Sequence, residues 1–176
     1  MSLSVNFHIE RLDPAKHHRD RFCCESVELT DFLQKRARKE MDALASACFV
    51  MVPADEPGRI AGFYTLSAAE IITTDLPLDL VKKLPRYTRM PAILLGRLAR
   101  DLAWRGQHIG GLLLIDALRR SLRQSSEVGA VVVVTDPKDT RARAFYQRYG
   151  FQPLNGQRMF IPMKEIIARE SAGWTA

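Results

Sequence analysis

No apolar run in this chain reaches the roughly 18 residues that a membrane-spanning helix needs. The first residues carry His8, Glu10, Arg11 and Asp13 and lack the apolar core of a secretory leader, so neither membrane nor export is expected. Cysteine is scarce and odd in number. Cys23, Cys24 and Cys48 do not form a disulfide framework and lack metal-ligand spacing. They are expected as buried, reduced thiols in a cytoplasmic protein with no metal site. The glycines do not fall at GxGxxG spacing and no Gly-Lys-Ser/Thr is present, which excludes a dinucleotide fingerprint and a Walker loop. Repeats, low-complexity stretches and flexible linkers are also missing, so residues 1–176 are expected to form a single domain.

What is present begins with charge. Lys and Arg number 26 against 20 Asp and Glu, a net charge of +6, and the basic residues cluster. Lys35, Arg36, Arg38 and Lys39 form one group, and Lys82, Lys83, Arg86 and Arg89 another. If several share a face they would attract a polyanion, either a nucleic acid or an anionic coenzyme. A solvated charged face is the plainer reading of the first group.

Periodicity gives the order of elements. Val5 to Leu12 reads as a strand and Glu28 to Leu44 as an amphipathic helix, with Leu29, Phe32, Leu33, Ala37, Met41 and Leu44 inward. Ser46–Val52 and Arg59–Ala69 form a hairpin around the Pro53–Gly58 turn. Three prolines between Thr73 and Pro91 leave room for a short helix near Leu78 to Leu84. Ala92–Leu102 is a strand, Ile109–Arg123 a helix, and Ala130–Thr135 a strand buried on both faces. Asp139 caps a helix from Thr140 to Tyr149, ended by Gly150. Phe151–Pro153 and Arg158–Met163 close the chain as short strands. This order describes an α/β fold, a mixed central sheet flanked by helices.

Between the Ala92–Leu102 strand and its helix lies a polar loop with Gly106, Gly110 and Gly111. The first amides of a helix have no intrahelical acceptor and attract anions, above all phosphate. The spacing Arg105-x-x-His108-x-Gly110 resembles the pyrophosphate loop of the GNAT superfamily of N-acetyltransferases, Gln/Arg-x-x-Gly-x-Gly/Ala. A second segment, Asp139-x-x-Ala142-x-x-Phe145-Tyr146-x-x-x-Gly150-Phe151, resembles the same family's Asn-x-x-Ala-x-x-Phe-Tyr-x-x-x-Gly-Phe element.

The resemblance implies a GNAT-like fold and acetyl-CoA as cosubstrate. Leu98, Ala99 and Arg100 would offer backbone groups to the acetyl and pantetheine portion. Arg105, Gly106, Gln107, His108, Ile109, Gly110 and Gly111 would cradle the pyrophosphate, and Asp139, Ala142 and Phe145 would flank the cofactor. Tyr146 would donate a proton to the departing thiolate; a phenol, with an ordinary pKa of about 10, holds its proton at neutral pH. Phe145 and Tyr149 are expected in the core.

Three positions depart from the pattern. His108 replaces the loop's first glycine, which is tolerable if the residue keeps helical φ/ψ, since only its amide is needed. Asp139 replaces asparagine; it can still cap a helix but would repel a phosphate. Arg100 stands where an apolar residue is usual, so its side chain must face solvent or an anion. No general base is marked by position, and His8, His17 and His18 read as surface residues. An acceptor α-amine with a pKa of about 8 could lose its proton to water.

The resemblance narrows further. Phe22-Cys-Cys-x-x-x-x-Leu29-x-x-Phe32-Leu33, Ile60-Ala-Gly-Phe-Tyr-Thr-Leu66, Leu95-Gly-Arg-Leu-Ala99 and Arg158-Met-Phe-Ile-Pro-Met163 are similar to the GNAT toxins of bacterial toxin–antitoxin pairs. That likeness implies acetylation of aminoacyl-tRNA, a ribbon-helix-helix antitoxin as partner, and a homodimer. By the same analogy Arg97, Lys35, Arg36, Lys82, Lys83, Arg86 and Arg89 would position the tRNA. The alternatives are a housekeeping N-acetyltransferase of a small amine or a protein N-terminus, and a non-catalytic acyl-CoA-binding module.

Overall fold

The computed structural model describes residues 6–174 of the chain. Among these, seven strands follow the hydrogen-bonding order β1-β2-β3-β4-β5-β7-β6. The chain divides into two compact units, residues 1–67 with 97–117 and residues 68–96 with 118–176. Strands β3 (Gly62–Ile72) and β4 (Arg89–Arg100) and helix α4 (Ile109–Val128) run through the division and contribute to both.

In the first unit, β1 (Phe7–Arg11) pairs antiparallel with β2 (Ala47–Pro53), and β2 with β3, Phe49 lying opposite Tyr64. The start of the predicted first strand, at Val5, lies outside the described residues. β3 begins three residues later than expected, because the turn extends through Ala61. Against these strands packs a three-part helix: α1 (Val27–Asp31), a π-helical turn (Phe32–Arg36) and α2 (Ala37–Asp42). The π-helical turn holds the neighbours Phe32 and Leu33, both in the core as expected. Leu44, expected on the buried face, lies past the helix end with φ +57° and is 86% exposed. The amide of Ala45 reaches back to the carbonyl of Glu40, a Schellman closure that asks for a left-handed residue at this point.

Gly62 shows what close packing demands here. A Cβ on it would fall 2.9 Å from the Ala99 carbonyl oxygen and 2.7 Å from a Leu113 methyl. Backbone and helix approach so tightly at this point that only hydrogen fits.

In the second unit β4 pairs parallel with β5 (Val132–Thr135), Ala92–Leu94 against Val132–Val134. β5 pairs antiparallel with β7 (Met159–Pro162), and β7 with the short β6 (Gln152–Pro153). All four β5 residues are buried, as a strand packed on both faces requires. The proline-rich stretch holds one short helix, α3 (Leu78–Val81), whose Leu80, with the flanking Leu76 and Leu84, joins Ile71, Met90 and Phe160 in one cluster. Asp139 caps α5 (Thr140–Arg148) by accepting the Ala142 amide at 2.7 Å, and Gly150 follows with φ +96°, as expected.

A last helix, α6 (Met163–Ala172), stands where the sequence pattern predicts none. It buries only Met163 and Ile166, so its apolar signal is weak, but Glu165 and Arg169, bonded at 2.8 Å, carry the i,i+4 pattern. No helix among the described residues is long and apolar enough to cross a membrane.

Candidate active site

The first unit holds the loop that the sequence marks for anion binding. Asp101, 3% exposed, opens the loop by accepting the Ala103 amide at 2.8 Å and starting a 3-10 turn, Leu102–Trp104. Two residues of the loop are left-handed, Gly106 at φ +81° and His108 at φ +55°. The first amide to donate back into the helix is that of Leu112, to the His108 carbonyl at 3.2 Å. The amides from Gly106 to Gly111 therefore find no acceptor among the described residues, which is what a phosphate cradle requires.

His108 thus does not keep helical φ/ψ. The backbone here is left-handed, a conformation that glycine adopts freely, and a histidine bears it. The left-handed region costs an ordinary residue about 1–2 kcal/mol, and histidine is among the side chains that enter it most readily. Its ring stays exposed. The feature that the loop needs, free amides on a left-handed turn, survives the replacement of the glycine.

Arg100 is only 19% exposed at its side chain and pairs with Glu25 at 3.6 Å; Arg105 pairs with the same carboxylate at 2.8 Å. The expectation that Arg100 needs an anion is met by a residue of this chain. Arg97 is also engaged. Its guanidinium carbon stands 3.7 Å from the centre of the Phe32 ring, and two of its nitrogens reach Glu40 at 3.3 and 3.4 Å. Lys35 pairs with Asp31 at 2.8 Å, and Arg36 lies 5.5 Å from the Phe32 ring. Leu98 is half-buried and Ala99 belongs to the core.

Two sequence expectations fail in this unit. His17 is not a surface residue but 3% exposed. Its Nδ1 accepts the Asp13 amide at 2.9 Å, so Nε2 carries the proton and donates to Glu10, also at 2.9 Å. Of the three cysteines Cys24 and Cys48 are buried, whereas Cys23 is exposed. Burial pushes the Cys48 thiol up to about 12, with Arg97 and Arg19 pulling the other way.

The second unit holds Tyr146, the expected proton donor. Tyr146 on α5 is 7% exposed, and its ring lies 5.2 Å from both Phe145 and Phe151. Burial pushes its hydroxyl up to about 12, partly offset by a hydrogen bond with Thr135. Thr135, itself buried, donates its hydroxyl proton to the Leu95 carbonyl at 2.9 Å. It stands just past the last β4–β5 pair, Leu94 with Val134. Sequence reasoning missed Thr135; its one signal was a polar residue ending an all-valine strand. Tyr149 is buried as expected, but Phe145 is only half so. Lys82, Lys83 and Arg86 are exposed, and Arg89 is paired with Glu70.

The model of the GNAT acetyltransferase domain matches residues 45–153, well over half of the chain and spanning both loop and tyrosine helix. The chain belongs to the GNAT acetyltransferase family. As a GNAT acetyltransferase it uses acetyl-CoA as cosubstrate. The GNAT chain is 34% identical to a probable toxin TacT of Sinorhizobium fredii over 167 residues, 90% of this chain and 92% of that one. It is 32% identical over 149 residues to a tRNA-acetylating toxin of Mycobacterium tuberculosis, covering 84% and 87%. Among solved structures it superposes with a TM-score of 0.86 on AtaT complexed with acetyl-methionyl-tRNAfMet, at 27% identity over 93% of this chain and 98% of that one.

Proposed function

We propose that this enzyme acetylates the α-amino group of aminoacyl-tRNA and so acts as a translation-blocking toxin. The observation that carries the reading is near end-to-end similarity, at 32% identity, to a tRNA-acetylating toxin. The residues needed for the chemistry support it. Acetyl-CoA supplies an activated acetyl group whose transfer leaves a thiolate. The amides of Gly106 to Gly111, with Arg105, hold the phosphates. Leu98, Ala99 and Arg100 line the acyl arm with backbone groups. Tyr146 keeps its proton throughout the neutral range and presents it to the sulfur. The α-amine of an aminoacyl ester, with a pKa of about 8, loses its proton to water without a dedicated base.

Lys35, Arg36, Lys82, Lys83, Arg86 and Arg89 contact the RNA backbone in this reading, and Arg97 supports the site from within. The chain acts as one catalytic domain, in the cytoplasm where charged tRNA is found. A homodimer merges two basic surfaces, and a ribbon-helix-helix antitoxin silences the enzyme.

The test is to incubate the purified protein with acetyl-CoA and total charged tRNA. Mass spectrometry of the nuclease-digested product is expected to show N-acetylaminoacyl-adenosine. Acetylation of free small amines alone would overturn the reading in favour of a housekeeping enzyme.

A further inference from the structure

The carboxylate of Glu25 holds both arginines that flank the loop. Its Oε1 lies 2.8 Å from Arg105 and 3.6 Å from Arg100. Glu25 reaches them from a segment more than 70 residues earlier, and its place there is not left to chance. The buried carboxylate of Asp101, at the base of the loop, accepts the Cys23 amide at 2.9 Å, and the Leu102 amide donates to the Cys23 carbonyl at 2.9 Å. On the other side Ser26 caps α1 by accepting the Leu29 amide at 3.3 Å. Glu25 is thus fixed between a pin and a cap, on backbone anchored to the loop itself.

The loop therefore gathers two guanidiniums and a run of free amides, and this chain already provides an anion beside them. A phosphate entering the loop meets arginines whose donors are directed at a carboxylate, and it meets that carboxylate's charge. Either the arginines turn from Glu25 to the phosphate, or the two anions stand close together. Both cost coenzyme affinity.

We propose that Glu25 is an internal stand-in for a phosphate: it holds Arg105 and Arg100 in place until coenzyme A arrives, and it lowers the affinity for the coenzyme. The proposal rests on reading Arg105 to Gly111 as the phosphate cradle. It goes beyond that reading by naming a residue, outside the family motifs, that sets how tightly the cradle binds.

Titration calorimetry of the full chain with coenzyme A and with pantetheine, which lacks the phosphates, tests it. Glu25→Gln keeps size and hydrogen bonding but removes the charge. It is expected to tighten coenzyme A about five-fold, the scale of one exposed ion pair and one like-charge contact in screened surroundings, and to leave pantetheine unchanged. The gain is expected to shrink when Arg105→Gln is added. Should Glu25→Gln fail to fold, Glu25→Asp, which draws the carboxylate back by one methylene, is expected to give a smaller gain of the same sign. Unchanged coenzyme affinity against a clear phosphate contribution in the wild type overturns the proposal alone. Weaker binding does so too, and makes Glu25 a residue that orients the arginines. A wild type that binds coenzyme A no more tightly than pantetheine removes the cradle reading and the proposal with it.

Discussion

The Thr135 hydroxyl, which donates to the Leu95 carbonyl at 2.9 Å, stands beside the hydroxyl of Tyr146. The tyrosine proposed as proton donor thus has a polar neighbour at the end of β5. Tyr146→Phe is expected to keep the fold and bind coenzyme A, and to lose roughly 10²–10⁴-fold in turnover on charged tRNA, the usual worth of a general acid. Thr135→Val removes the hydroxyl beside the phenol and is expected to lower turnover about ten-fold. An unchanged rate for Tyr146→Phe removes the proton-donor role.

At His108 the backbone is left-handed without a glycine. His108→Gly relieves about 1–2 kcal/mol of backbone strain, against about 0.4–1 kcal/mol for the freer unfolded chain. The expected outcome in urea unfolding is a neutral to slightly stabilised protein. Coenzyme affinity should stay within about three-fold, because amides rather than the ring hold the phosphate. A large drop in affinity would mean that the imidazole itself binds.

Arg97 has the sequence context of a tRNA-binding residue, yet it stacks on Phe32 and pairs with Glu40. Arg97→Ala is expected to cost about 1–2 kcal/mol of stability, since it removes the cation–π stacking and the ion pair with Glu40, which keeps its hydrogen bond from Ser46. Arg97→Lys should recover only part, since an ammonium cannot stack as a planar guanidinium does. Chemical denaturation checks both. A variant as stable as the wild type would free Arg97 for a purely substrate-binding role.

Replacing Lys82, Lys83 and Arg86 together by alanine is expected to weaken tRNA binding. The slope of log affinity against log salt should shrink by about 0.7–0.9 for each phosphate that these side chains neutralise. The melting temperature should change little, because these side chains are exposed. An unaltered salt slope would place the RNA elsewhere.

Stability should fall at both ends of the pH scale. Hydrogen bonds from Lys16 and His17 hold the Glu10 carboxyl down, from 4.5 to about 2. Its contribution is full above about 4.5 and is lost as pH falls through about 2; after solvent screening it is worth about 1 kcal/mol. Burial raises Cys48 from 9.0 and Tyr146 from 10.0, each to about 12. Their contributions are full below the unfolded values and are lost as pH rises towards 12. Urea midpoints measured against pH should show Glu10→Gln flattening the acid limb and Tyr146→Phe the alkaline one.

Most of the architecture was legible because its causes are local. Alternation, helical spacing, the Asp139 cap and the Gly150 stop act within a few residues, and the corresponding elements lie within a few residues of the expected bounds. The errors also have physical causes. A regular period anticipated the burial of Phe32 and Leu33 but not the π turn that holds them, nor a C-terminal helix that buries two side chains. His17 reads as polar and therefore exposed, until Glu10 and the Asp13 amide supply the partners that make its burial tolerable.

By itself the sequence determined the α/β class, the strand–loop–helix that frees the amides of Gly106 to Gly111, and the helix that carries Tyr146. Each depends on neighbours in the chain. Only the tertiary structure decided the conformation of His108, the placing of Thr135 beside the Tyr146 hydroxyl, and the grip of Glu25 on Arg105 and Arg100. Hydrogen bonds and ion pairs act over a few ångströms of space without regard to separation along the chain. Glu25 and Arg105 are 80 residues apart in sequence and 2.8 Å apart in the fold.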